Sequence, residues 1–312
     1  MKNLSRRSFI RKSALGLTSA GLMIKAATAD QKSGRTFRYA LCSESVKEFT
    51  WKEQCKITGN AGFDGIEIAP FTLVKQGVDD LTPVIRKEMV GQMKDAGIAC
   101  SGLHWLFVAP PAGLHFTTPD AALRQKSVDY LNKLIDFCGD MGGRSMVFGS
   151  PAQRGSTGGL SVPEATDYFA EGLMKVADHA KQRKVSILIE SLGKSQTDVV
   201  NTLDEAVSLV EKINHPNIAT MFDYHNTENE TEPLVKLVER YSGYIRHIHV
   251  QNMDGTMLRP EHVPDDLVTI MQLLKKIKYS RWVSVEVFDF TPGGKVIAQE
   301  GMKALMEIES RL

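Results

Sequence analysis

From Phe37 to the C-terminus, short apolar runs alternate with longer stretches in which apolar positions recur every three or four residues. The short runs predict strands at Phe37–Cys42, Gly65–Ile68, Ile98–His104, Ser145–Phe148, Val185–Glu190, Ala219–Asp223, Ile245–Gln251 and Trp282–Val287. The longer stretches predict helices, among them Ala121–Cys138, Val162–Gln182, Leu203–Ile213, Asp265–Ile277 and Ile297–Ile308. Eight strands alternating with helices imply a parallel sheet. A doubly wound sheet competes, but it has fewer strands and a glycine-rich turn after the first. Here that turn reads Leu41-Cys42-Ser43-Glu44-Ser45, with no glycine. No linker divides the chain, so the expected fold is α/β, a single (β/α)8 TIM barrel.

Side chains alternate along a strand with period two. In the last strand Val283, Val285 and Val287 share the face toward the helices, which turns Ser284 and Glu286 inward. The same parity turns Glu190 and Asp223 inward at the ends of strands five and six. His247 and His249 share a face, with His249 nearer the C-terminal mouth, where barrel active sites are built. Three carboxylates and an imidazole thus meet at one rim. Such a set repels itself unless a cation sits among it, and O3N donors suit one divalent metal ion, Mn, Co, Mg or Zn, without choosing among them. His247, one layer deeper, reads as a core histidine.

The two longest loops, Trp105–Thr118 and Gly149–Ser161, fall at the same end and are either lids or surface loops. Other candidates near the mouth have two readings each. His104 is a substrate contact or a structural group, and Glu67 reaches substrate or forms a local ion pair. Trp105 can form an apolar wall against a bound ligand. Phe107 reads as core packing, His115 as a weaker loop contact, and Lys194 and Arg259 as binders of an acidic group or solvated surface.

Charge is unevenly placed along the 312 residues. The first 29 hold six of the 38 basic side chains and none of the 37 acidic ones, so the remainder carries about five negative charges. A body of that sign argues against nucleic acid as partner. The leader reads Arg6-Arg7-Ser8-Phe9-Ile10, an apolar run from Ala14 to Ile24, then Ala27-Thr28-Ala29. That is the build of a cleavable signal peptide of twin-arginine type, with residues 30–312 as the exported domain and the periplasm as its destination. The apolar run falls well short of the ~20 residues that cross a bilayer, so no stable membrane span is expected after cleavage. Cys42, Cys55, Cys100 and Cys138 lack metal spacing; they leave room for one disulfide. Oligomeric state, a homo-oligomer included, is left open.

With these residues in place the chain resembles the xylose isomerase-like barrels of the sugar-phosphate isomerase/epimerase group, which include ketose 3-epimerases, hydroxypyruvate isomerases and inosose dehydratases. The resemblance covers essentially residues 30–312. It rests on Gly62-Phe63-Asp64-Gly65-Ile66-Glu67, Ile189-Glu190, Asn201-Thr202, Phe222-Asp223, His247-Ile248-His249-Val250 and Trp282-Val283-Ser284-Val285-Glu286. It implies that Glu190, Asp223, His249 and Glu286 hold the metal, and that Glu190 and Glu286 also form the acid/base pair acting on a small carbohydrate. A metal acting as Lewis acid and two carboxylates moving a proton suit an enediolate path. The same groups serve epimerisation, isomerisation or dehydration. Three positions depart from the epimerase pattern. Asn226 stands where those enzymes carry a His, which here is His225; Gln196 replaces an acid; and Gly255 replaces an Arg, with Arg259 nearest. A non-catalytic sugar-binding barrel is the reading from another class. A multi-zinc phosphodiesterase would need a His near Phe148-Gly149-Ser150 and at position 226, and has neither.

Overall fold

Eight parallel strands close on one another: β1 (Arg38–Cys42), β2 (Gly65–Ile68), β3 (Ala99–Leu103), β4 (Ser145–Phe148), β5 (Ser186–Ile189), β6 (Ile218–Asp223), β7 (Ile245–Val250) and β8 (Trp282–Val285). Closure is made by β1 against β8, where Ala40 pairs with Ser284 and Leu41 with Val285. These are the coordinates of a computed structural model, which describes residues 34–312; the leader read at residues 1–29 lies outside the described residues. Helices follow the strands in turn: α1 (Trp51–Ala61), α2 (Pro83–Asp95), α3 (Ala121–Asp140), α4 (Val162–Gln182), α5 (Leu203–Ile213), α6 (Leu234–Tyr241), α7 (Asp265–Lys276) and α8 (Gly294–Ser310). The expected barrel is the observed one. Among the described residues no helix is long and apolar enough to cross a membrane.

The alternation that predicted the strands also sorts the core. Tyr39, Leu41, Ile248, Val283 and Val285 face outward and pack under the helices, while Val147, Leu188, Ala219 and Met221 fill the barrel's interior. An interior packed in this way is a floor, not a pore. Pairing slips at Ile66/Glu67 in β2 and at Thr220/Phe222 in β6, each one step from a residue of the site. Such irregularities re-aim side chains beside functional positions. Strand pairing ends at Leu103, Ile189 and Val285, so His104, Glu190 and Glu286 each stand just past their strands on the rim.

The long loops after β3 and β4 are joined to each other. Phe116 N donates to Gln153 O at 2.7 Å, Thr117 Oγ1 to Gly155 O at 2.5 Å and Phe107 N to Ser150 Oγ at 3.3 Å. Arg154, fully buried, donates from its guanidinium to Phe148 O (2.9 Å) and Val200 O (3.4 Å), anchoring the second loop from below. Trp105, Ser150 and Val200 all hold left-handed φ, at 48°, 43° and 62°. For a β-branched residue such as Val200 this is a true outlier, and strain of this kind gathers where a site demands it. The four cysteines are buried and free, so the disulfide left open by the sequence is absent.

Candidate metal centre

Glu190 follows β5, Asp223 ends β6, His249 lies in β7 and Glu286 follows β8. One donor atom from each comes within 4.8 Å of the others, and all four side chains are buried. Their surroundings push the carboxylates apart. Burial first, then the Asp223 and Glu286 charges, hold the Glu190 carboxyl well above its usual range. Burial and then Glu286 raise Asp223 as well. For Glu286, burial opposes ionisation, but His249 and a hydrogen bond from His104 outweigh it and hold the acid low. Three buried carboxylates with one imidazole and no lysine or arginine in an ion pair with them, among the described residues, is a donor set that fits a single divalent cation. Such a cation would be held by these four residues.

Neighbours fix each ligand. Glu286 Oε2 lies 2.9 Å from His249 Nδ1. Its Oε1 accepts the Trp105 indole N–H at 2.8 Å and sits 3.2 Å from His104 Nδ1. Asn226 donates from Nδ2 to Asp223 Oδ2 at 2.7 Å and to Glu190 Oε1 at 3.1 Å, while its Oδ1 accepts from Gln196 Nε2 at 2.8 Å. Gly149 makes room for Glu190, since a Cβ there would overlap Oε2. The cavity over these groups measures about 200 Å3 and is lined by Trp105, Val108, Leu192 and Phe288 beside Glu190, Gln196, Asn226 and Glu286. Trp105 and Phe288 lie nearly parallel on its wall, centroids 5.9 Å apart, and Phe71 stacks on Trp105 at 5.6 Å. A wider groove of about 650 Å3, between Asn60 and Met306 on the outer surface, is away from these acids.

Several sequence readings are corrected. Glu67 is fully buried beneath the centre and does not reach the cavity: its Oε2 is 2.7 Å from His247 Nε2 and its Oε1 3.3 Å from His249 Nε2. It acts on His249 from behind, turning Nδ1 toward Glu286, as carboxylates do for metal-binding imidazoles. Arg259 is exposed and begins a short turn, Pro260–His262, that packs against α8, away from the cavity. His225 packs edge-on against Phe288, and its own backbone N–H donates to Asp223 Oδ1 at 2.8 Å. His115 braces its loop by accepting from Thr117 N, and Lys194 is exposed. His104, Trp105 and Asn226 do belong to the centre, as holders of its carboxylates. Sequence reasoning missed Glu44, whose Oε2 lies 2.8 Å from His104 Nε2.

Comparison with known proteins places this geometry among relatives. The family model for the xylose isomerase-like TIM barrel matches residues 56–308. A probable ketose 3-epimerase of Synechocystis is 24% identical over 289 residues, covering 84% of this chain and 95% of its own. Among solved structures, a D-psicose 3-epimerase with D-tagatose from Clostridium cellulolyticum superposes with a TM-score of 0.74 at 18% identity, covering 86% of this chain and 97% of the other. A 3-keto-D-glucoside 4-epimerase from E. coli gives 0.72 at 14% identity, with 88% and 99% covered. At these identities the solved structures attest the fold alone.

Proposed function

This chain belongs to the xylose isomerase-like TIM-barrel family, and on that footing we propose that it is a divalent-metal-dependent isomerase that epimerises a keto-sugar by carboxylate proton transfer. The observation that carries the reading is the convergence of Glu190, Asp223, His249 and Glu286, with two of the four also lining the cavity. A divalent ion held there would supply Lewis acidity to the substrate's carbonyl and adjacent hydroxyl. Glu286, whose carboxylate is held by His249 and His104, takes the proton from carbon, and Glu190, the second carboxyl lining the cavity, returns one. Asn226 and Gln196 order the carboxylates and offer neutral amides to substrate hydroxyls. Trp105 and Phe288 cover the sugar's apolar face and exclude water. Ketose 3-epimerases among the relatives are isomerase-class enzymes, which supports the same reading. Passage to the periplasm by the twin-arginine route is part of the proposal, on the leader sequence alone.

The test is NMR in D2O with metal-loaded protein and a panel of ketoses and 3-keto-glycosides. Deuterium at one sugar carbon, lost on chelation and restored by Mn²⁺ or Co²⁺, is the expected result. Glu286→Gln should fold and bind sugar yet stop exchange; exchange retained in that variant ends the proton-transfer role. Loss of water from the sugar in place of a retained mass would assign dehydration to the same carboxylates.

A further inference from the structure

Glu44 lies in a 3₁₀ turn, Ser43–Val46, directly after β1. The turn is held from two sides: Ser43 Oγ accepts from Ala69 N at 2.9 Å, and Gly294 at the start of α8 fits so closely that a Cβ would overlap Ser45 O. The side chain it carries is unusual for its place. Glu44 is fully buried, its Oε1 has no hydrogen-bond partner, and its Oε2 meets only the Nε2 of His104. A buried carboxylate with half its acceptors unmet weakens a fold, so such a group calls for a use outside stability. It does not line the cavity and cannot touch substrate. What it touches is a ring whose other nitrogen is on Glu286.

We propose that Glu44 is a positioning residue for Glu286, holding His104 in the one orientation that, with the Trp105 indole, fixes Glu286 Oε1 and so turns Oε2 toward His249 and the cation. The path is short and wholly buried: Glu44 Oε2 to His104 Nε2, 2.8 Å; His104 Nδ1 to Glu286 Oε1, 3.2 Å; Glu286 Oε2 to His249 Nδ1, 2.9 Å. His104 also stands edge-on to His249, ring centroids 5.7 Å apart, so a ring freed from Glu44 would turn against a ligand as well as away from one. Glu67 holds His249 in the same manner, so one buried acid stands behind the β7 ligand and the other, through His104, behind the β8 ligand. The proposal rests on the metal reading above for its affinity readout and on geometry alone for its second.

The experiment uses the full chain, metal-free and with Mn²⁺. Its three tryptophans give three indole N–H resonances in ¹⁵N-tryptophan-labelled protein, and Trp105→Phe assigns the one bonded to Glu286. Glu44→Leu should move that resonance upfield, leave Trp51 and Trp282 in place, and weaken Mn²⁺ binding on the order of 10–100-fold. Glu44→Gln keeps an acceptor oxygen for His104 and should recover most of both. His104→Asn should reproduce the Glu44→Leu effects, and adding Glu44→Leu to it should change affinity less than about twofold, because the two act in series. An unmoved Trp105 resonance, unchanged affinity in Glu44→Leu, or additive losses in the double variant overturn the proposal. Should Glu44→Leu not fold, Glu44→Ala takes its place in the same two readouts and in the pair with His104→Asn. A wild-type chain that binds no divalent cation overturns the metal reading, and the Trp105 resonance then decides for or against Glu44.

Discussion

At Asn226 one neutral amide serves three neighbours, two carboxylates through its nitrogen and Gln196 through its oxygen. It orders Glu190 and Asp223 without bringing a second positive charge to a place suited to a cation. Asn226→Ala should therefore leave the fold intact and weaken Mn²⁺ binding on the order of 10-fold, read by titration calorimetry; unchanged affinity would mean that the carboxylates stand unaided. The sequence shows Asn226 only as a departure from a pattern. Its partners Gln196 and Glu190 lie 30 and 36 residues away, and no local periodicity encodes those contacts. Glu44 is less legible still, a lone acid among serines whose partner is 60 residues on. Glu67 was read as facing substrate or an ion pair, and only the depth of the barrel, which the sequence does not give, decides for the pair.

The strands, by contrast, were legible almost to the residue, because alternation of apolar and polar positions reports directly on which face meets the helices. From that parity alone Glu190, Asp223, His249 and Glu286 fall on one rim, and they do. Loops carry no such period. Neither the joining of the two long loops nor the burial of Arg154 could be read from a Gly- and Ser-rich stretch. Strand spacing also hides one strict demand. Gly102 in β3 pairs with Ser145 in β4, and a Cβ on it would overlap the Ser145 carbonyl oxygen. Gly102→Ala should spread that pair and lower stability by about 1–3 kcal/mol, seen in urea unfolding. Because His104 follows two residues later, the same variant should also disturb metal binding; a variant with wild-type stability would show that the strands give way freely.

Across the whole molecule the four cysteines report on how dry the interior is. Burial pushes the Cys55 and Cys100 thiols up to about 12. Below about pH 8.5 these thiols are protonated in folded and unfolded chains alike, and stability is full. As pH rises from there toward 12 the unfolded chain releases protons that the native one keeps. Stability then falls, by at most about 1.4 kcal/mol per pH unit for each thiol. Urea titrations at pH 8 and 10 should show the loss, with a shallower slope in Cys55→Ala, and native protein should be inert to a thiol reagent that labels all four cysteines in denaturant. The stitched loops above the metal centre carry a different consequence. With Phe116 bonded to Gln153, Thr117 to Gly155 and Arg154 anchored underneath, closing the entrance over a guest would break these bonds, so its width should stay the same when a guest arrives. An enzyme that does not shut cannot use the act of shutting to proofread. Its preference among sugars of similar outline then rests on whatever fit exists at rest, where one methylene in an apolar pocket changes the odds by only about 10–200-fold and a hydroxyl left unpaired by far more.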